Sequence, residues 1–283
     1  MNFNLDQKMD FNLGFIGGGN MSTAIVKGVL KNDTHPASKI WVSGPHLENL
    51  QHWKQMGTNI TNKNGELLSK CDVIFLGVKP NMLHRAVSDC LNSFNTQSPK
   101  NVLFISMLAG ICIDDLKKAL EILPIKFKVV RTMPNTPMAV GSGACLYTPD
   151  AGVFANECKI VEKLLNSCGI CERVPEYLID SLGAVSGCGP AFMYIIIEAL
   201  ADGAVKQGVP RALALRFAAQ TVVGSGQMVL QSGKHPGLLK DEVCSPGGST
   251  ICGVTALENG GIRATLINAV EAATQRNKEM GKK

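Results

Sequence analysis

The chain has 283 residues, of which 45% are hydrophobic and 18% charged. That is enough apolar material for two domains, or one large one, and it excludes a disordered chain. The net charge of +5 is spread along the sequence without a basic cluster and aromatics are only 5%, so no nucleic-acid partner is expected. The longest apolar stretch in the expected helices, Ala191–Ile197, closes at Glu198. It is far shorter than the roughly 20 residues of a membrane span, and no membrane partner is expected.

In chain order, Leu13–Ile16 predicts a buried strand and Asn20–Leu30 a helix. Ile40–Val42, Val73–Val78, Val102–Ser106 and Lys128–Arg131 continue as strands. Strands apolar on both faces and separated by helices predict a parallel sheet covered on both sides. Ala144–Tyr147, a helix near 151–167 and Cys171–Val174 complete this part. After about Leu178 only helices are expected, over Ala191–Lys206, Arg211–Gln231, Pro246–Glu258 and Gly261–Lys278. Their small residues, such as Ala199, Ala201, Gly203 and Ala218, suit close helix packing within a bundle or between subunits. The expected division is 1–175, an α/β Rossmann-type domain, and 176–283, an all-α domain.

Ten cysteines are present, but Cys71 enters a strand-like run and Cys112 and Cys145 lie in apolar segments. Reduced, mostly buried thiols are expected. The start, Met1–Asp10, has no secretory apolar run and carries Asp6 and Asp10, so a cytoplasmic protein is expected. Cys168 and Cys171 form a lone CxxC with no histidine between residues 85 and 234. They read as a thiol pair on a strand edge, and no metal site is expected.

Gly17, Gly18 and Gly19, followed by Asn20, Met21 and Ser22, stand between the first strand and the first helix. Gly17 permits the tight turn, Gly19 lets a diphosphate approach backbone N–H groups, and Ser22 is small enough for close packing. A dinucleotide cofactor is expected there. The second strand ends in Trp41-Val-Ser-Gly-Pro-His46, without the carboxylate that would hold a ribose 2′-hydroxyl. Ser43 and the backbone around Gly44 are expected to accommodate a 2′-phosphate, so NADPH is preferred and NADH remains possible. Gly77, Val78, Lys79 and Pro80 end one strand, and Leu108, Ala109 and Gly110 follow another, so both segments are expected in the cofactor wall. In Met133-Pro-Asn-Thr-Pro137, Asn135 and Thr136 either bond a nicotinamide amide or cap a turn.

A second cluster is Ser245-Pro-Gly-Gly-Ser-Thr250. Ser245 is the expected N-cap and Pro246 the first helical residue, with Gly247 and Gly248 leaving N–H groups open to a small carboxylate. Thr250 adds a hydroxyl for a ring nitrogen. The five histidines show no HExxH spacing, and His235 before Pro236 reads as a helix start. Any hard chemistry would belong to the nicotinamide.

Phe15–Met21, Val78–Pro80, Met133–Pro137, Ser186–Ala191, His235–Gly237 and Ser245–Thr250 occur in this order, the last followed by Ala256-Leu-Glu-Asn-Gly-Gly-Ile-Arg263. Together they resemble pyrroline-5-carboxylate reductases from about Leu13 onward. The C-terminus from Ala269 is similar to the cytosolic animal form. The resemblance implies a Rossmann domain, a helical dimerisation domain, an active site built across a homodimer, and commonly a decamer. It implies NAD(P)H-dependent reduction of L-1-pyrroline-5-carboxylate, a small-molecule substrate, to L-proline. It also implies that Ile16, Gly17, Gly18, Gly19, Asn20, Met21, Ser43, Gly44, Asn64, Gly77, Val78, Lys79, Pro80, Leu108, Ala109 and Gly110 line the cofactor. Glu176, Ser245, Gly247, Gly248, Ser249 and Thr250 are then expected toward substrate or nicotinamide, with Thr250 near the ring nitrogen. Two positions depart from the family pattern: Cys188 where Ser is frequent, and Gly44 where some members have a second Ser. A β-hydroxyacid dehydrogenase-like enzyme would place a catalytic Lys on the first long C-terminal helix, but the first lysine there is Lys206, at the helix end. A dinucleotide-sensing protein without turnover would have no use for the Ser245–Thr250 loop.

Overall fold

The computed structural model describes residues 10–95 and 100–280. The reading of Met1–Met9, and the outer limits 1 and 283 of the expected domains, lie outside the described residues.

The first unit is built on β1 (Leu13–Ile16), β2 (Ile40–Ser43), β3 (Asn59–Thr61), β4 (Val73–Leu76), β5 (Asn101–Ser106), β6 (Lys126–Met133), β7 (Gly143–Pro149) and β8 (Gly169–Arg173). Helices α1 (Asn20–Lys31), α2 (Gln51–Gln55), α3 (Asn64–Lys70), α4 (Leu83–Ser93), α5 (Ile113–Leu120) and α6 (Ala155–Asn166) lie between them in sequence. The sheet runs β3-β2-β1-β4-β5-β6-β7-β8. Its first six members are parallel neighbours in the Rossmann order. The expectation of a parallel sheet fails at β7, which pairs antiparallel with β6, while β8 follows β7 in parallel. Only a short 3-10 turn, Thr136–Val140, separates β6 from β7, too little chain for a parallel crossover. The short β3, Asn-Ile-Thr, carries no alternation long enough to predict it.

Side chains alternate across the strands into two cores. Phe15, Val42, Phe75, Ile105 and Val130 pack on one face with Ile25, Trp53 and Leu164. Ile16, Ile74, Leu76, Phe104 and Val129 pack on the other with Leu67, Val87 and Leu116. Phe15 stacks on Phe75 at 4.8 Å between ring centroids. Each such fully buried side chain contributes about 1.5–3 kcal/mol relative to exposure. This double cover explains why the strands read as continuous apolar runs.

Helix α7 (Glu176–Ser186) belongs to this unit, which comprises residues 1–187 and 273–283. By contacts the compact units divide at Gly187. Helix α7 is tied to the sheet by the buried Arg131 of β6, which pairs with Glu176 and Asp180, and by its own buried Ile179 and Ala184.

The second unit, Cys188–Ala272, contains α8 (Gly189–Lys206), α9 (Arg211–Ser232), α10 (Pro236–Val243), α11 (Ser249–Asn259) and most of α12 (Ile262–Met280). Its buried core among the described residues is Ala201, Ala214 and Ala218, where α8 and α9 meet. Tyr194, Ile195, Phe217, Leu230 and Ile267 are exposed. By length and composition the stretch Glu176–Lys206, which holds an 18-residue window of mean hydropathy 1.5, is apolar enough to cross a membrane. The sequence reading did not anticipate this. In the structure Gly187 and Cys188 break the stretch into α7 and α8.

Candidate active site

The turn after β1 is shaped by Gly17, whose φ of +98° suits glycine. A Cβ there would lie 2.8 Å from the carbonyl oxygen of Gly77, so the turns after β1 and β4 touch backbone to backbone. Gly17 N–H donates to the Ser43 carbonyl at 3.0 Å, and Gly77 N–H to the Ile16 carbonyl at 2.8 Å. Ser22 replaces a third glycine and uses its hydroxyl, which donates to the Gly17 carbonyl at 2.6 Å. Gly19 is the residue before α1, with no side-chain cap, and a Cβ on it would meet open space. An uncapped helix start beneath an open glycine fits a diphosphate.

Two cavities flank this turn. One, of about 280 Å³, is lined by Ile16, Gly17, Ser43, Gly44, Asn64 and Val78, together with His46, Arg85 and Asp89. The other, of about 600 Å³, is lined by Asn20, Met21 and Thr136, with Lys27. The recess at the end of β2 lies where the ribose of a Rossmann-bound dinucleotide belongs, while the other runs along the flank of α1 and the Thr136–Val140 turn.

Several expected roles change in detail. Ser43 is fully buried and its hydroxyl donates to Asn64 Oδ1 at 2.7 Å, while Gly44 N–H donates to the Thr61 carbonyl at 3.2 Å. Neither donor is available to a 2′-phosphate. Asn135 is not offered to a nicotinamide either. Its Nδ2 donates to the Ser186 carbonyl at 2.9 Å and its Oδ1 accepts Ala144 N–H at 2.9 Å. Thr136 is exposed beside the larger cavity. Leu108 turns its side chain into the core, leaving the half-buried Ala109 and Gly110 at the sheet end. Lys79 and Pro80 are exposed. Glu176 Oε1 accepts from Ile113 N–H at 2.8 Å and from Arg131 Nη1 at 3.1 Å, so this carboxylate clamps β6, α5 and α7 together. Arg85 and Asp89 were not legible as site residues. They lie on the helix after Val78-Lys-Pro80, and no motif marks them.

In the second unit, the expected cap at Ser245 is replaced by Gly248, and α11 begins at Ser249. Gly247 has φ +67°, which a right-handed helix cannot continue, so Ser245–Gly248 form a turn closed by Gly248 N–H on the Ser245 carbonyl at 3.1 Å. The amides of Ser249, Thr250 and Ile251 have no acceptor among the described residues. Thr250 is half-buried and Ser249 exposed. His235 caps α10, its Nδ1 accepting Gly237 N–H at 3.1 Å.

A Rossmann sheet with an open glycine cradle, joined to a helical unit carrying a free helix start, defines an NAD(P)H-dependent oxidoreductase. Residues 176–280 match the family model described as pyrroline-5-carboxylate reductase dimerisation, and residues 12–110 match the NADP oxidoreductase coenzyme F420-dependent model. Pyrroline-5-carboxylate reductase 3 of Danio rerio is 42% identical over 271 residues, covering 96% of this chain and 92% of that one. The solved pyrroline carboxylate reductase of Plasmodium falciparum, with NADP bound, is 34% identical with a TM-score of 0.84, covering 97% and 100% of the two chains. The Coxiella burnetii pyrroline-5-carboxylate reductase structure is 32% identical with a TM-score of 0.86, covering 96% and 99%. The chain belongs to the pyrroline-5-carboxylate reductase family.

Proposed function

We propose that the chain reduces L-1-pyrroline-5-carboxylate to L-proline, the last step of proline biosynthesis. The observation that carries this reading is the open start of α11, where the amides of Ser249, Thr250 and Ile251 have no acceptor among the described residues and Thr250 adds a hydroxyl in the same turn. Such a helix start suits a small carboxylate. The relatives' names support the substrate, and the NADP in the Plasmodium structure supports the cofactor.

When bound, the reduced nicotinamide supplies a hydride to C5 of the cyclic imine. Gly17, Gly18 and Gly19 hold the diphosphate on the start of α1, while Asn20, Met21 and Thr136 bound the recess beside it. Gly247, Gly248, Ser249 and Thr250 hold the substrate carboxylate. A simple imine is readily protonated in water, so no strong acid is required. The Thr250 hydroxyl would accept a hydrogen bond from the protonated ring nitrogen and orient it, that nitrogen keeping its proton and gaining a lone pair as it becomes the amine. Most of the acceleration would come from positioning, with the imine carbon brought into near-attack range of a reduced nicotinamide.

NADPH is the preferred cofactor and NADH a possible one, since the end of β2 offers no carboxylate to a ribose 2′-hydroxyl. A homodimer, assembled further into a decamer, covers the exposed apolar side chains of the second unit. The dimerisation model over 176–280 supports the dimer, and the family resemblance supports the decamer. The protein is cytoplasmic, with neither nucleic acid nor membrane as partner. Its cysteines are free among the described residues, in keeping with a reducing compartment. The test is loss of nicotinamide absorbance on adding pyrroline-carboxylate with NADPH or NADH. Cofactor binding without pyrroline-dependent oxidation would overturn the proposal.

A further inference from the structure

We infer that Arg85 recognises the 2′-phosphate of NADPH, so that cofactor selection is carried by α4 and not by the end of β2. This rests on the dinucleotide reading of the glycine turn.

The cavity of about 280 Å³ beside that turn reaches from Gly17 to the end of β2, where the adenosine ribose of a Rossmann-bound dinucleotide belongs. Three of the neutral donors around it are already spent, and the exposed Asn62 on the same wall offers only an uncharged amide. Ser43 donates to Asn64 Oδ1 at 2.7 Å, Asn64 Nδ2 donates to the Ala86 carbonyl at 3.1 Å, and Gly44 N–H donates to the Thr61 carbonyl at 3.2 Å. A dianionic phosphate at this place needs a donor that is still free.

Three ionisable side chains line the cavity. Asp89 accepts the backbone N–H of Asn64 at 2.9 Å, and its charge opposes an anion. His46 is exposed and faces Glu48, with Nδ1 3.3 Å from Oε1. Arg85 is exposed and has no hydrogen-bond or ion-pair partner among the described residues. It stands one helical turn before Asp89 on α4 and carries a guanidinium. The planar fork of donors matches phosphate oxygens in pairs. A 2′-hydroxyl, being neutral, gains much less from the same group. Arg85 therefore restores, from a different element, the selectivity that Ser43 and Gly44 do not provide.

The test needs no turnover. The full-length protein is titrated calorimetrically with adenosine 2′,5′-bisphosphate and with 5′-AMP, two ligands that differ only in the 2′-phosphate. The wild type is expected to favour the bisphosphate by about tenfold or more, as a charged hydrogen-bond pair implies. Added salt should narrow that preference. Arg85→Gln is expected to bring the ratio close to unity while leaving the 5′-AMP affinity in place, and Arg85→Lys to recover part of it. A ratio unchanged in Arg85→Gln overturns the inference. So does a ratio that collapses in His46→Ala but not in Arg85→Gln, which would place recognition at the end of β2. A wild type that binds both nucleotides equally overturns the inference and leaves the dinucleotide reading standing. Binding of neither removes both.

Discussion

Glu176 Oε1 lies 3.1 Å from Nη1 of the buried Arg131, whose Nη2 lies 2.9 Å from Asp180 Oδ1. The carboxylate thereby helps to neutralise a cation inside the protein and also accepts the first N–H of α5. Glu176→Gln keeps a hydrogen-bonding oxygen but leaves Arg131 with half its compensation. It is expected to cost about 1–3 kcal/mol of stability in denaturant unfolding, with little change in KM for the imine. A raised KM with an unmoved unfolding midpoint would return Glu176 to the substrate.

Thr250→Ala removes the hydroxyl beside the free amides of α11. Its kcat/KM should fall by about tenfold or more, the equivalent of about 1.4 kcal/mol of transition-state stabilisation. Thr250→Ser keeps the hydroxyl and should recover most of the rate. Steady-state kinetics with both variants decide the matter, since equal activity in Thr250→Ala leaves the hydroxyl without a role.

Gly17→Ala meets two obstacles at once, a φ of +98° and a Cβ 2.8 Å from the Gly77 carbonyl oxygen. A rigid backbone atom cannot step aside as a side chain does. The variant should lose roughly 2 kcal/mol of stability or more, and NADPH binding measured by fluorescence should weaken sharply. Gly19→Ala is the informative contrast. Its Cβ meets open space, so folding should survive while diphosphate binding is obstructed.

His35 is buried and stacks on Phe11, with ring centroids 4.7 Å apart. Burial pushes its pKa down to about 4, and the charge of Lys39 pushes the same way. The folded state therefore keeps His35 neutral where the unfolded chain, with a pKa near 6.5, takes up a proton. Stability should fall as pH drops from about 6.5 to about 4, by about 2 kcal/mol after allowance for solvent screening. Above that window the contribution is complete. His35→Leu should flatten this part of the stability–pH curve, and an unchanged slope would assign it to other groups.

Much of the architecture could be read along the chain because burial on both faces of a sheet leaves a direct mark. Strands such as Val73–Leu76 have no polar side to present, so they appear as unbroken apolar runs. The glycine turn was equally legible, since Gly17 and Gly19 answer to backbone constraints a few residues long. The reversal at β7 was not, because the residues of an antiparallel strand look like those of a parallel one. It is decided by the shortness of the connection after β6.

The sequence by itself determined most of the strands and the long helices, where glycine permits an anion to approach, and the family whose motifs the chain carries. Tertiary structure alone decided which polar groups remain free to bind anything. Ser43, Asn135 and Glu176 all looked available in one dimension, yet their hydrogen-bonding atoms are taken by Asn64, by Ser186 with Ala144, and by Arg131 with Ile113. Arg85, with no motif around it, is brought to the cavity wall with its guanidinium unpaired among the described residues. The physical reason is that hydrogen-bonding capacity is finite and is shared among neighbours in space. A linear pattern shows the groups a chain possesses, and only the folded packing shows which of them are already spoken for.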